Sequence, residues 1–247
     1  KGPFPFSPSP NSVTFDYSAS GIRRSIEDSL QRLGIDSLDI AYVHDLSSDN
    51  PLFKEGEWLE HFEVAKKGAF PELTKMREEG IIKGWGLGVN TPEPIMKALD
   101  VADPDIFLFA AQYSLMDHEN AIEEIFPAIR KHGASLVMGS NLNAGYLSGS
   151  DRYNYGPKIP DFAHEKREKL RKIAAAHNVD LRTAALQFAS FPDVATAIVP
   201  GMHTPQQVKE NLASMKTKIP ADFWQELKDE KLIHQDAPTE NQVLTEA

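Results

Sequence analysis

The chain has no cysteine among its 247 residues, which excludes a disulfide framework and any thiolate-held metal. It also lacks a long hydrophobic run. A membrane-spanning helix needs roughly 18 or more consecutive apolar residues, and stretches such as IFLFAA at 106–111 are strand-sized. The opening KGPFPFSPSP has neither the basic-then-apolar pattern of a secretory signal nor an initiator Met, and it reads as a Pro-rich loop. The expectation is a chain whose true beginning lies upstream. An excess of basic residues is missing too: 26 Lys and Arg against 36 Asp and Glu give a net charge of −10. That balance argues against a nucleic-acid partner, because such binding needs a basic surface to displace phosphate counterions. Taken together, these absences predict a cytoplasmic protein with no membrane or nucleic-acid partner and no metal.

Two nucleotide-binding signatures are absent as well. GWGLGVN carries Gly84, Gly86 and Gly88, but their spacing is wrong for a GxGxxG turn and no acidic partner lies suitably downstream. No GxxxxGK[ST] loop occurs.

What is present is ordinary globular composition, with 41% hydrophobic and 25% charged residues. Short apolar runs alternate with helical patterns. Ile22, Ile26, Leu30 and Leu33 recur at helical spacing and stop at Gly34; SLDIAYVH then reads as a strand ending at His44. A helical region closes at Gly80, GWGLGV (84–89) is strand-like, and a helix runs from about Thr91 to Leu99. DIFLFAAQ (105–112) reads as a buried strand, followed by a helix around AIEEIFPAIRKHG, in which Pro127 predicts a kink. SLVMG (135–139) is the next strand, and a long Gly-, Asn- and Ser-rich loop runs on through Asp161. Its length marks it as functional or mobile. Helices over HEKREKLRKIAAAHN and LRTAALQFAS precede the strand ATAIV (195–199). Helices from Pro205 to Met215 and from about Asp222 to Lys231 lead into a polar tail. Strands alternating with helices predict a parallel sheet with crossover helices, and nearly all-apolar strands predict cover on both faces. An open doubly wound sheet and part of a (β/α)₈ barrel both fit five strands in one domain, residues 1–247.

In either architecture ligands meet the carboxyl ends of the strands. Those ends carry His44, Asn90, Gln112, Ser140 with Asn141, and Pro200 with Gly201. An Asn or Gln offers both a donor and an acceptor, which suits an amide-bearing ligand. A histidine beside it could orient a carbonyl or alcohol oxygen. Structural roles compete at each position: His44 as a strand-end boundary residue, Asn90 as a helix cap, Gln112 as a partner for loop backbone. Thr204, Pro205 and Gln207 make a T-x-x-Q capping box with Pro at the first helical position. Asp45 follows His44 directly and is expected to point elsewhere. Trp58, Trp85 and Trp224 read as packing residues, and Glu123 with Glu124 as a solvated helix face.

The segments RRSIEDSLQRLGIDSLDIAYVHD, GWGLGVN, AAQYSLMD, GSNLNAGYLSG and VPGMHTPQQVKENL, in that order, resemble the aldo-keto reductases. The likeness is strongest to the branch of aldose 1-dehydrogenases, L-fucose dehydrogenases and pyridoxal 4-dehydrogenases. The resemblance implies the last five βα units of a (β/α)₈ TIM barrel and an NAD(P)-dependent hydride transfer on a sugar-type or other aldehyde or alcohol. It implies that His44 orients the substrate oxygen and that Asn90 and Gln112 hold the nicotinamide carboxamide. Leu142, Asn143 and Gly145 would begin the loop that wraps the cofactor, with Asn141 or Leu142 where the family usually stacks an aromatic residue on nicotinamide. Thr204 lies in the same cofactor segment, and Glu210 with Asn211 would contact the adenine. Gly201 and Gln207 stand where NADP-selective members carry a Lys and an Arg, so NAD is expected ahead of NADP. The family's catalytic Asp, Tyr and Lys have no counterpart: Asp16 with Tyr17 and Lys1 do not fill those places, and the chain by itself is expected to be inactive. The alternative implied by the family is a barrel that binds nucleotide without turnover, or a regulatory subunit like the potassium-channel β-subunit relatives.

Overall fold

The computed structural model describes residues 14–156 and 158–240. The Pro-rich opening with Lys1 and the end of the polar tail lie outside the described residues. Five strands lie in a sheet in sequence order, β1 to β5, and the chain divides into two compact units, residues 1–106 and 107–247.

The first unit contains α1 (Ala19–Leu33), β1 (Leu38–His44), α2 (Glu57–Lys67), α3 (Ala69–Glu78), β2 (Ile82–Val89) and α4 (Glu93–Val101). Ser18 caps α1 by accepting from the Gly21 amide, and Gly34 ends it in the left-handed conformation, φ 68°. Asp16 belongs to this helix start: it accepts from the Ser18 amide and hydroxyl. β1 and β2 are parallel, with His44 opposite Gly88, so both strands finish at the same level. The single helical region expected up to Gly80 is two helices. Gly68 divides them because a Cβ there would lie 2.8 Å from the Ala19 nitrogen, where the start of α1 crosses and Tyr17 accepts from the Ala69 amide. Trp58, Phe62, Phe70 and Trp85 fill the core, with the Phe70 and Trp85 rings stacked at 5.3 Å.

The second unit contains β3 (Ile106–Ala110, of which Ile106 belongs to the first unit), α5 (Phe126–His132), β4 (Ser135–Gly139), α6 (Asp161–Ala176), α7 (Leu181–Ser190), β5 (Ala195–Val199), α8 (Pro205–Lys216) and α9 (Ala221–Asp229). β4 and β5 are parallel, with a register shift between Leu136 and Val137. Tyr113 stacks on Phe188 at 4.8 Å, and Trp224 packs edge-on against Phe191. The kink expected at Pro127 takes a particular form: a π-helical turn, Ala121–Ile125, runs into α5 with Pro127 in its first turn. A widened turn tolerates the missing proline N–H.

One expectation is corrected. β1 and β5, the outer strands of the order, are not covered on both faces: Ile40 is 40% and Val199 52% exposed. Their apolar composition reflects strand propensity more than burial. Among the described residues no helix is long and apolar enough to cross a membrane.

Candidate functional site

In the first unit the chemistry gathers where β1 and β2 end. Asp45 has φ 52°, a left-handed turn unusual for a residue with a side chain. The turn is held by the Asp45 amide donating to the Gly88 carbonyl and by Asn50 Nδ2 donating to the Asp45 carbonyl. It swings the Asp45 carboxylate back to 3.3 Å from His44 Nδ1. The expectation that Asp45 points elsewhere is therefore wrong; sequence adjacency separates two side chains in an extended strand, but not across a left-handed turn. Burial pushes the Asp45 carboxyl above the usual carboxylate range, opposed by His44 and assisted by Asp49. With Nδ1 facing a carboxylate, the favoured neutral tautomer carries its proton on Nδ1 and offers Nε2 as an acceptor.

Asn90 does not cap the next helix. α4 starts at Glu93 with Pro92 at the N-cap and no side-chain cap, and Asn90 Nδ2 donates to Asp49 Oδ2 at 3.0 Å. Ser47 donates to the other Asp49 oxygen. Tyr17, buried, donates to the His44 carbonyl at 3.5 Å. Burial pushes its phenol up, so it keeps its proton.

In the second unit Gln112 follows β3 through Ala111, itself left-handed at φ 60°. A cavity of about 1540 Å³ lies in this unit, ample for a dinucleotide by the scale of ordinary small-molecule pockets. Leu142 and Gly145 line it from the loop after β4; Gly201, Gln207, Glu210 and Asn211 line it from the segment after β5 and from α8. Asn143 and Thr204 have other tasks. Asn143 is fully buried and its Nδ2 donates to Asn154 Oδ1 at 3.0 Å. The Thr204 hydroxyl caps α8 by accepting from the Gln207 amide. Gln207 completes the capping arrangement one residue early, accepting from the His203 amide at 2.8 Å.

The long loop after β4 is built rather than slack. Arg167 lies 3.9 Å above the Tyr146 ring and donates to the Tyr146 and Ser150 carbonyls. Tyr155, 72% exposed, shares a 3.0 Å hydrogen bond with Ser140 at the end of β4. None of the four arginines that line this cavity among the described residues, Arg152, Arg167, Arg171 and Arg182, was singled out from the sequence. No motif marks them; the signal for Arg182 is only that it follows the α7 cap Asp180. Three buried polar atoms of lining residues have no hydrogen-bond partner: Asn141 Oδ1, Arg167 Nε, which lies 4.0 Å from Glu168 Oε1, and Arg182 Nε, which lies 3.5 Å from Asp180 Oδ2. Buried polar atoms are normally satisfied, so a wall that carries one unpaired acceptor and two guanidinium donors is suited to a polar ligand with both donor and acceptor groups.

A model of the Aldo/keto reductase family matches residues 6–231. Pyridoxal 4-dehydrogenase of Microbacterium luteolum is 35% identical over 224 residues, covering 89% of this chain. D-threo-aldose 1-dehydrogenase of a Pseudomonas species is 32% identical over 224 residues, again 89% of this chain. The chain spans 64% of the length of each of these relatives. Among solved structures, an aldo-keto reductase of Bacillus halodurans in its holo form superposes with a TM-score of 0.67 at 26% identity, covering 96% of this chain and 72% of that one. A glycerol dehydrogenase of Gluconobacter oxydans superposes with a TM-score of 0.62 at 18% identity, covering 94% of this chain and 69% of that one. The βα alternation is thus that of a (β/α)₈ barrel fold.

Proposed function

The chain belongs to the aldo/keto reductase family, and on that premise we propose that it is part of an oxidoreductase that binds a nicotinamide dinucleotide in the cavity of the second unit. The carrying observation is that cavity's wall: a volume of about 1540 Å³ lined by Arg152, Arg167, Arg171 and Arg182, with Asn141 Oδ1, Arg167 Nε and Arg182 Nε buried without hydrogen-bond partners. The bound dinucleotide would supply or take a hydride. Gly145 has a φ of 92°, and a Cβ there would lie 2.7 Å from Ser150 Oγ, so glycine lets the loop fold tightly at the cavity wall. Glu210 and Asn211 at the α8 end would meet the adenosine, as the family resemblance implies. Asn90 and Gln112 would hold the carboxamide. His44 would hold the substrate oxygen: paired with Asp45 through Nδ1, its Nε2 can accept from an alcohol O–H, which favours the oxidation direction.

The substrate class we propose is a small aldehyde or alcohol, sugar-like or aromatic, as the names of the two relatives suggest. NAD is proposed ahead of NADP, because Gly201 is uncharged and Gln207 spends its side-chain oxygen on the His203 amide. The cofactor assignment is tested by binding. Titrating the purified chain with NADH and with NADPH, followed by nicotinamide fluorescence, should show NADH bound about tenfold or more tighter. Tighter NADPH binding overturns the NAD preference, and binding of neither overturns the cofactor assignment.

A further inference from the structure

The segment that follows α9 is ordered by two histidines, each accepting a backbone N–H at one ring nitrogen. His118, fully buried in the turn after β3, donates through Nδ1 to the Ser114 carbonyl at 2.9 Å and accepts at Nε2 from the His234 amide at 3.0 Å. His234 accepts in turn at Nδ1 from the Asp236 amide at 3.1 Å, and its carbonyl accepts from the Ala237 amide at 3.0 Å. The segment leaves α9 through a left-handed residue, Lys231 with φ 56°, and buries Leu232, Ile233 and Ala237. Each accepting nitrogen also has a carboxylate just outside hydrogen-bond reach. Glu119 Oε1 lies 3.8 Å from His118 Nε2, and Asp236 Oδ2 lies 4.0 Å from His234 Nδ1. On the far side of the second ring, Glu123 Oε1 stands 3.6 Å from His234 Nε2.

We propose that His118 and His234 form an acid-released latch: protonation frees residues 230–237 from the turn after β3 while α7 keeps its fold. A neutral imidazole offers one donor and one acceptor, whereas an imidazolium offers two donors and no acceptor. A proton on His118 Nε2 meets the His234 N–H donor to donor, so that bond is lost. The same conflict arises between His234 Nδ1 and the Asp236 amide. Glu119 and Asp236 then stand ready to take the new N–H groups, which gives the protonated rings partners that the closed segment denies them. Burial, with Lys166 and His234 adding to it and Glu119 and the Ser114 hydrogen bond opposing, lowers the His118 pKa from 6.5 to about 4. A ring that takes its proton more readily once released stabilises the closed segment above its released pKa, and the stabilisation drains away as the pH falls towards 4. The charged groups facing the pair are Asp117 and Glu119 in the turn, Glu123 in the π-helical turn, Lys166 on α6 and Asp236 in the segment. The turn has ties of its own: Lys166 donates to the Met116 carbonyl, and the Ser114 hydroxyl accepts from the Met116 and Asp117 amides. The Leu232 and Ile233 amides donate to the Leu227 carbonyl of α9, so the stretch after Ile233 is the part that leans on the histidines. Opening is therefore local, and it uncovers apolar side chains without unfolding the unit.

The test is amide exchange of the full chain, resolved by residue with NMR at about pH 7 and about pH 4.5 and corrected for the intrinsic rate at each pH. Protection at the His234, Asp236 and Ala237 amides should fall about tenfold or more on acidification, while residues 181–190 of α7 keep theirs. The double variant His118→Gln with His234→Asn removes the titration and keeps the acceptors, because a Gln oxygen reaches where Nε2 stood and an Asn oxygen where Nδ1 stood. In that variant the acid-dependent loss should vanish. Unchanged protection in the wild type, an equal fall over residues 181–190, or an equal fall in the double variant overturns the latch. Where circular dichroism shows that His118→Gln has lost its fold, His234→Asn is measured alone. The loss at the Asp236 amide should then shrink, and a loss as large as in the wild type overturns the latch as well.

Discussion

At the scale of single residues, some glycines here are fixed by what lies against them and others only by their own backbone. A Cβ on Gly86 would sit 1.7 Å from the Ile106 carbonyl oxygen and 2.7 Å from its carbon. Both are backbone atoms, and backbone cannot swing aside as the tip of a side chain can. Gly34 needs its left-handed φ of 68° to end α1, but a Cβ there would meet nothing within 4 Å. Gly34→Ala should therefore cost about 1 kcal/mol of folding free energy, the conformational penalty alone. Gly86→Ala should cost at least about 3 kcal/mol or leave the first unit unfolded. Urea unfolding of the two variants checks the order; equal midpoints would show that the Gly86 packing is not close. GWGLGV reads as a strand, but nothing in it announces this contact, since the approach of Ile106 is set by a neighbouring segment. Asp45 is the same lesson for function: its approach to His44 depends on one φ angle that no spacing rule encodes.

At the scale of elements, the turn after β3 and the segment after α9 are joined by a buried histidine. His118 is fully buried; its Nδ1 donates to the Ser114 carbonyl at 2.9 Å, and its Nε2 accepts from the His234 amide at 3.0 Å. Both nitrogens are thus committed in the neutral Nδ1–H tautomer. Burial, with Lys166 and His234 adding to it and Glu119 opposing, lowers its pKa from 6.5 to about 4. Asp117 and Lys166 also face this region: Lys166 donates to the Met116 carbonyl, and burial and Glu119 raise the Asp117 carboxyl. A histidine held neutral in the fold but protonated readily when unfolded favours the fold above its unfolded pKa. Its contribution should be complete above about pH 6.5 and drain away as the pH falls towards 4, by about 3 kcal/mol at most. Chemical unfolding of wild type and His118→Phe between pH 7.5 and 4.5 tests this. The wild type should lose stability more steeply on acidification, while parallel curves would remove His118 as the cause. The strand and helix order was readable from periodicity, because a 3.6-residue repeat and an apolar run each report one face. The break at Gly68 and the π-turn before Pro127 were not, because both answer to neighbouring segments and not to their own sequence.

At the scale of the whole molecule, five βα units could be counted from sequence, and the family motifs pointed to the strand ends where His44, Asn90 and Gln112 lie. What escaped was which side chains spend their polar atoms on ligand and which on loop. Asn143 and Thr204 fit the family's cofactor segments, yet one pins Asn154 and the other caps α8. Arg167 and Arg182 fit no motif, yet both line the cavity. Motifs preserve order along the chain, whereas satisfaction of polar groups is decided in three dimensions. The consequence is a prediction about where binding is felt. The cavity's lining residues named above all belong to the second unit, so NADH should stabilise that unit. At a free concentration of 100 times Kd the gain should approach about 2.7 kcal/mol. Amide hydrogen exchange should slow over residues 139–156 and 201–211, the loop after β4 and the segment that leads from β5 into α8, which form the wall. Residues 57–78 of the first unit, which pack around Trp58 and Phe70, should exchange at the same rate with and without ligand. Slowing spread evenly over both units would mean that the dinucleotide acts by tightening the entire chain, and slowing confined to residues 57–78 would place it somewhere other than this cavity.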